Sequence, residues 1–131
     1  MKKKTFLCLT AVLVLSVIVF SGCSKKSTIT ESEITEAQKT WGDGVVNIGA
    51  AYSSGGDYRK AAERHVDNFY AYQFGPVLFA PTKATHDQFR KTRDGAISYF
   101  VGGNDDYPED KGFALTPWTD VRFENAGTYI H

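Results

Sequence analysis

Apolar residues recur at intervals of three and four along Ile34, Ala37, Trp41, Val45, Ile48 and Tyr52, forming one stripe on one face of a helix. The spacing predicts a helix from about Ser32 to Tyr52, opened by Thr30 and Glu33 at the separation of a capping box. Gly42, Gly44 and Gly49 fall inside it. Each glycine costs up to about 1 kcal/mol relative to alanine in a helix interior, so the three together predict close approach by another element. A second helix is predicted from Asp57, a good N-cap, to about Tyr70, with Tyr58, Ala62, His65 or Val66, and Phe69 on its buried side. Val77 to Ala80 is a short apolar run stopped by Pro81 and reads as an edge strand. Phe89, Ala96, Ile97 and Phe100 mark the inner face of a third helix over about 85–101, ended by Gly102-Gly103.

The periodicity changes near residue 112. Gly112 to Asn125, reading GFALTPWTDVRFEN, is the one clear strand signal in the chain. Alternation places Val121 and Phe123 on one face and Trp118, Asp120, Arg122 and Glu124 on the other. A strand cannot satisfy its backbone groups alone, so the three helices are expected to pack on a sheet that this strand begins. The fold class expected is α+β, with the sheet incomplete because the chain reaches His131 soon afterwards.

The first residues follow another pattern. Lys2, Lys3 and Lys4 precede an uncharged run of 15 residues from Phe6 to Phe20. That is shorter than the roughly 20 apolar residues of a membrane-spanning helix and fits a secretory signal. The run closes on Val19-Phe20-Ser21-Gly22-Cys23, which resembles the lipobox of bacterial lipoprotein signal peptides, apart from Phe20 where leucine is usual. The resemblance implies cleavage before Cys23, acylation of that cysteine and residence in the bacterial cell envelope, the domain lying outside the cytoplasm. Residues 1–22 are then a signal peptide, 23–31 a polar lipidated tether, and 32–131 one small domain. Cys8 leaves with the signal, so neither a disulfide nor a cysteine-based zinc site is expected. Loss of the three lysines leaves 12 basic against 15 acidic residues, a net charge of −3, which argues against nucleic acid as a partner.

Several motifs point to a family. Trp41-Gly42-Asp43-Gly44, Gly75-Pro76-Val77-Leu78-Phe79 with Pro81-Thr82-Lys83, and Ser98-Tyr99-Phe100-Val101-Gly102-Gly103 resemble a bacterial group within the nuclear transport factor 2-like, or SnoaL-like, superfamily. Glu109 to Ala114 and Pro117 to Asn125 continue the likeness. The resemblance implies a cone: three N-terminal helices packed on a curved antiparallel sheet, a pocket at its open end, and homo-oligomers formed through the sheet. Relatives carry three or four long strands after the third helix, so this chain is expected to hold an incomplete domain. The resemblance further implies a pocket lined by Trp41, His65, Tyr70, Tyr72, Phe89, Tyr99 and Trp118. Arg122 joins them if a bulge turns it inward, where it would hold a carboxylate or phosphate.

The chemistry is sparse. His65, with Asp67 or Asp43, is the first candidate for moving a proton, but no acid–base pair stands at helical spacing. His65, His86 and His131 lack metal-ligand spacing, and Asn104 to Asp110 lacks the alternating ligands and central glycine of a calcium loop, so it reads as a solvated acidic loop. No metal or cofactor is expected. A phosphoribosyl-AMP cyclohydrolase label, sometimes attached to this group, finds no cysteine-based zinc site here. The reading favoured is a membrane-anchored, non-catalytic module that binds a small molecule or supports assembly. A SnoaL-like isomerase, cyclase or hydrolase is the alternative, and a fragment without independent function the third.

Overall fold

The computed structural model describes residues 28–127. The signal segment, Cys23 and most of the tether lie outside those residues, as do Thr128 to His131. Helix α1 spans Glu31–Ser53, α2 spans Tyr58–Phe69 and α3 spans Arg93–Val101. Two 3₁₀ turns, Tyr72–Phe74 and Phe113–Leu115, punctuate the connections.

The caps explain the starts. Thr30 Oγ1 accepts from the Glu33 N–H at 3.3 Å, and Glu33 Oε2 accepts from the Thr30 N–H at 2.7 Å, a complete capping box. Asp57 Oδ1 accepts from the Lys60 N–H at 2.9 Å to open α2. Helix α1 packs on α2, and α2 on α3. Val45, Ile48, Ala62, Val66, Ala96, Ile97, Phe100 and Val101 form the core between them, with Ala114 closing it from the second 3₁₀ turn.

The glycines of α1 do bring neighbours close. A Cβ on Gly49 would stand 2.9 Å from the Ala114 carbonyl oxygen, and one on Gly42 3.0 Å from Val121 Cβ. The chain after α3 thus lies directly on the α1 surface.

Two features of the predicted architecture are corrected. The third helix begins at Arg93, not near Thr85. Residues 85–92 stay non-helical because their polar groups are committed elsewhere: the Arg90 N–H donates to the Phe79 carbonyl at 2.8 Å and Asp87 Oδ1 accepts from the Phe89 N–H. Thr92 then caps α3 through the Gly95 N–H at 3.1 Å. The larger correction concerns the sheet. Among the described residues there is no strand, only one isolated antiparallel bridge between Phe79 and Arg90. The α+β cone with helices packed on a sheet is therefore replaced by a mostly helical fold, and the expected sheet-mediated oligomer has no sheet among these residues to form on.

The segment from Trp118 to Asn125 keeps its alternation without becoming a strand. Val121 rests on Gly42 and Phe123 packs edge-on against Trp41 at 6.0 Å, while Arg122 points out and pairs with Asp120 at 2.7 Å. Its two-residue period is satisfied by a helix surface. Gln38 and Asn125 exchange side-chain hydrogen bonds at 2.8 and 3.2 Å across that contact.

Candidate active site

An aromatic cluster fills the space beside the helices. Trp41 of α1 and Tyr70 at the end of α2 meet where the indole Nε1–H donates to the Tyr70 hydroxyl at 3.2 Å. Phe79 lies between two phenols, its ring 4.7 Å from Tyr70 and 5.7 Å from Tyr99. Tyr72 stacks on Tyr70 at 6.2 Å, and Phe113 on Tyr99 at 5.3 Å. Phe100 closes the floor against Trp41, Tyr70 and Phe79.

The three hydroxyls are committed differently. Tyr72 donates its proton to the Arg90 carbonyl at 2.6 Å. Tyr70 accepts from Trp41, which leaves its own proton available. Tyr99, a buried residue on α3, makes no hydrogen bond through its hydroxyl to any described residue. Burial raises the Tyr70 pKa, the Trp41 hydrogen bond opposing it and nearby Tyr99 adding to it. Burial, then Tyr70 and Tyr107, push Tyr72 up to about 12. Both phenols thus hold their protons at neutral pH and act as neutral hydrogen-bonding groups.

His65 sits beneath Trp41, Phe69 and Phe100, with ring centroids 5.5, 5.0 and 5.0 Å away. It is 4% exposed, and neither Nδ1 nor Nε2 has a hydrogen-bond partner. Desolvation lowers its pKa to about 4, so the imidazole is neutral near pH 7.

The predicted site residues divide. Trp41, His65, Tyr70, Tyr72 and Tyr99 come together in this cluster. Trp118 joins only its margin, packing on Phe113 and donating Nε1–H to the Phe113 carbonyl at 2.9 Å. Phe89 is exposed. Arg122 does not turn inward. Asp67 is held in an outward two-point pair with Arg93 at 2.6 and 2.8 Å, and Asp43 pairs with Lys39 at 2.6 Å one helical turn away. Neither carboxylate partners His65. Among the described residues no three His, Cys, Asp or Glu side chains group so as to hold a metal ion.

Sequence reasoning missed a second, buried polar group. Arg90 is fully buried; its Nη2 lies 2.7 Å from Asp110 Oδ1 and 3.1 Å from Glu109 Oε1, and its Nη1 donates to the Asp87 carbonyl. Ser98 donates to Asp110 Oδ2 at 2.7 Å. The guanidinium stacks over Tyr107 at 4.2 Å. Burial pulls the Arg90 pKa down, but Asp110 and Glu109 outweigh it and raise it overall. Half of what reads as a solvated acidic loop is thus an internal ion pair. No spacing signals it, because its members stand twelve and twenty residues apart on opposite sides of α3.

The chain is 50% identical over 105 residues to a metal-independent carbonic anhydrase of Nostoc sp., an alignment covering 78% of this chain and 51% of that protein. It is also similar to the crystal structure of a cyanobacterial iota-carbonic anhydrase complexed with bicarbonate, with a TM-score of 0.74 and 50% identity. That match covers 78% of this chain and 64% of the other. The family model for metal-independent carbonic anhydrase matches residues 32–131, and the chain belongs to that family. It spans about half the length of the curated relative.

These findings correct the family and the function class together. The motifs taken to resemble nuclear transport factor 2-like proteins are those of a metal-independent carbonic anhydrase. The named relatives are enzymes, which overturns the non-catalytic binding or assembly module and the expectation that the chain is not an enzyme. The SnoaL-like isomerase, cyclase or hydrolase and the functionless fragment are likewise not favoured. The descriptors nuclear transport factor 2-like and SnoaL-like give way to carbonic anhydrase; Cys23 and its lipobox lie outside the described residues.

Proposed function

We propose that this chain carries a site for the reversible hydration of carbon dioxide to bicarbonate. The observation that carries the reading is its likeness, at 50% identity, to a structure complexed with bicarbonate. The phenol cluster supports it chemically. Carbon dioxide is neutral and apolar and favours the wall of Phe79, Phe100 and Phe113 over water. Negative charge develops on its oxygens as water attacks the carbon. Preorganised donors in a water-poor site stabilise such charge, and the free protons of Tyr70 and Tyr99 are placed to supply them. Water forms the new C–O bond, an electron pair moves onto the oxygen held by the phenols, and the water proton leaves to solvent. Stopped-flow hydration assays with a pH indicator on the full chain, with and without chelator, test this. A rate above buffer that chelator leaves unchanged is expected; a wild-type rate equal to buffer sinks the proposal.

We also propose that acylated Cys23 holds the chain on an envelope membrane. The support is the positive, apolar and small-residue order of residues 2–23, and two or more acyl chains suffice for stable anchoring. Cys23→Ala is expected to abolish labelling by a fatty-acid analogue in a bacterial host. Labelling that persists would mean that Cys23 is not the attachment point.

A further inference from the structure

We infer that Arg90 is a positioning residue that holds the phenols of the site in register from both its main chain and its side chain. The inference rests on the reading of those phenols as the carbon dioxide site. Three separate connections converge on this one residue. Its N–H donates to the Phe79 carbonyl at 2.8 Å, which fixes the ring between Tyr70 and Tyr99. Its carbonyl receives the Tyr72 proton at 2.6 Å, which fixes the phenol stacked on Tyr70. Its guanidinium holds Asp110 by Nε and Nη2 at 3.3 and 2.7 Å, and Asp110 accepts the Ser98 hydroxyl at 2.7 Å. Ser98 immediately precedes Tyr99 on α3.

The arrangement has no slack. Arg90 is wholly buried and Asp110 nearly so, the Tyr107 ring centroid lies 4.2 Å from the guanidinium carbon, and the Asp87 backbone carbonyl accepts a further hydrogen bond from Nη1. Residues 87–92 belong to no helix or strand, so their backbone has no ladder of its own to hold it. The guanidinium fork supplies that restraint, and the geometry suits arginine alone: lysine offers a point charge without the planar pair of donors that engages both Asp110 oxygens. Arg90 touches no reacting atom. It acts through where it puts Phe79, Tyr72 and Tyr99, and small misplacements of reacting groups carry large kinetic costs.

The test uses the full chain with ¹³C-labelled tyrosine and three proteins: wild type, Arg90→Lys and Ser98→Ala. Ring resonances and carbon dioxide hydration are measured at a temperature where cooperative melts show each protein folded. Shifted tyrosine resonances with kcat lowered about tenfold or more in Arg90→Lys, a smaller fall in Ser98→Ala, and KM little changed are expected. Variants that melt lower but keep wild-type kcat and tyrosine resonances overturn the inference. If Arg90→Lys does not fold, Ser98→Ala carries the same two readouts, and unmoved resonances with unmoved kcat overturn it. If the wild type itself does not hydrate carbon dioxide, the functional reading fails on its own. The resonances then decide the positioning role: shifted, Arg90 sets the phenols; unshifted, it does not.

Discussion

Gly44 and His65 touch so closely that a Cβ on the glycine would stand 2.2 Å from His65 Nδ1. Helix α1 gives up a side chain at this point so that a histidine of α2 can pack, tilted by 58°, beneath Trp41. The atom met is ring nitrogen in a packed cluster, not the far end of a flexible chain, so it cannot swing aside. Gly44→Ala should therefore destabilise the fold by about 1–3 kcal/mol through overpacking, even though alanine gains about 1 kcal/mol of helix propensity. Gly127→Ala, where nothing lies within 4 Å, should be neutral. Urea denaturation of the two variants checks the contrast, and equal midpoints would show that the α1–α2 contact yields easily.

The same histidine sets the pH dependence. Its pKa falls from an ordinary 6.5 to about 4 on folding because burial disfavours the imidazolium. Between those values the unfolded chain binds more protons than the folded one, so stability drops as pH falls from about 6.5 to about 4. The loss should approach about 3 kcal/mol. Asp67, with its pKa lowered by the Arg93 hydrogen bond, acts lower: its contribution is present above the ordinary carboxylate range and lost as pH falls through it. Denaturation midpoints at pH 7, 5.5 and 4.5 should decline in the wild type and stay nearly level in His65→Phe over that window. A parallel decline in both would assign the titration to another group.

The phenols make a different prediction. Tyr70→Phe and Tyr99→Phe keep the rings and remove the donors. Each should lower kcat for carbon dioxide hydration about 100- to 1000-fold, the range found when one preorganised donor to a developing oxyanion is removed. Melting temperatures should change little for Tyr99→Phe, whose hydroxyl has no hydrogen-bond partner among the described residues. Tyr70→Phe should cost somewhat more, since it leaves the Trp41 Nε1–H without its acceptor. Unimpaired kcat in both variants would move the reaction away from this cluster.

The segment after Pro117 should be separable from the core. Phe123 is 44% exposed and packs edge-on against Trp41 beside Gly42. Phe123→Ala should loosen residues 118–127 from α1, seen as faster proteolysis there, with the global unfolding midpoint almost unchanged. Loss of cooperative folding instead would place this segment in the core.

Local rules made much of the helical frame legible. Thr30 and Glu33, Asp57, and Gly102-Gly103 mark their boundaries by short-range hydrogen bonding and by the positive φ that glycine adopts, here +68° at Gly102. The apolar stripes of α1 and α2 named the residues that meet in the cluster, because a helix face is set by residues three and four apart. What no such rule reaches is a partner distant in sequence. The alternation of Trp118 to Asn125 is real, yet a two-residue period says only that one side is buried, and here α1, stripped to glycine at Gly42 and Gly49, provides the surface that a sheet was expected to provide. Arg90 lay inside a predicted helix and Asp110 in a predicted solvent loop. Only the tertiary fold, by carrying residues 87–90 and 109–110 to one point beside α3, turns those two charges into a buried pair and decides where the tyrosine hydroxyls stand.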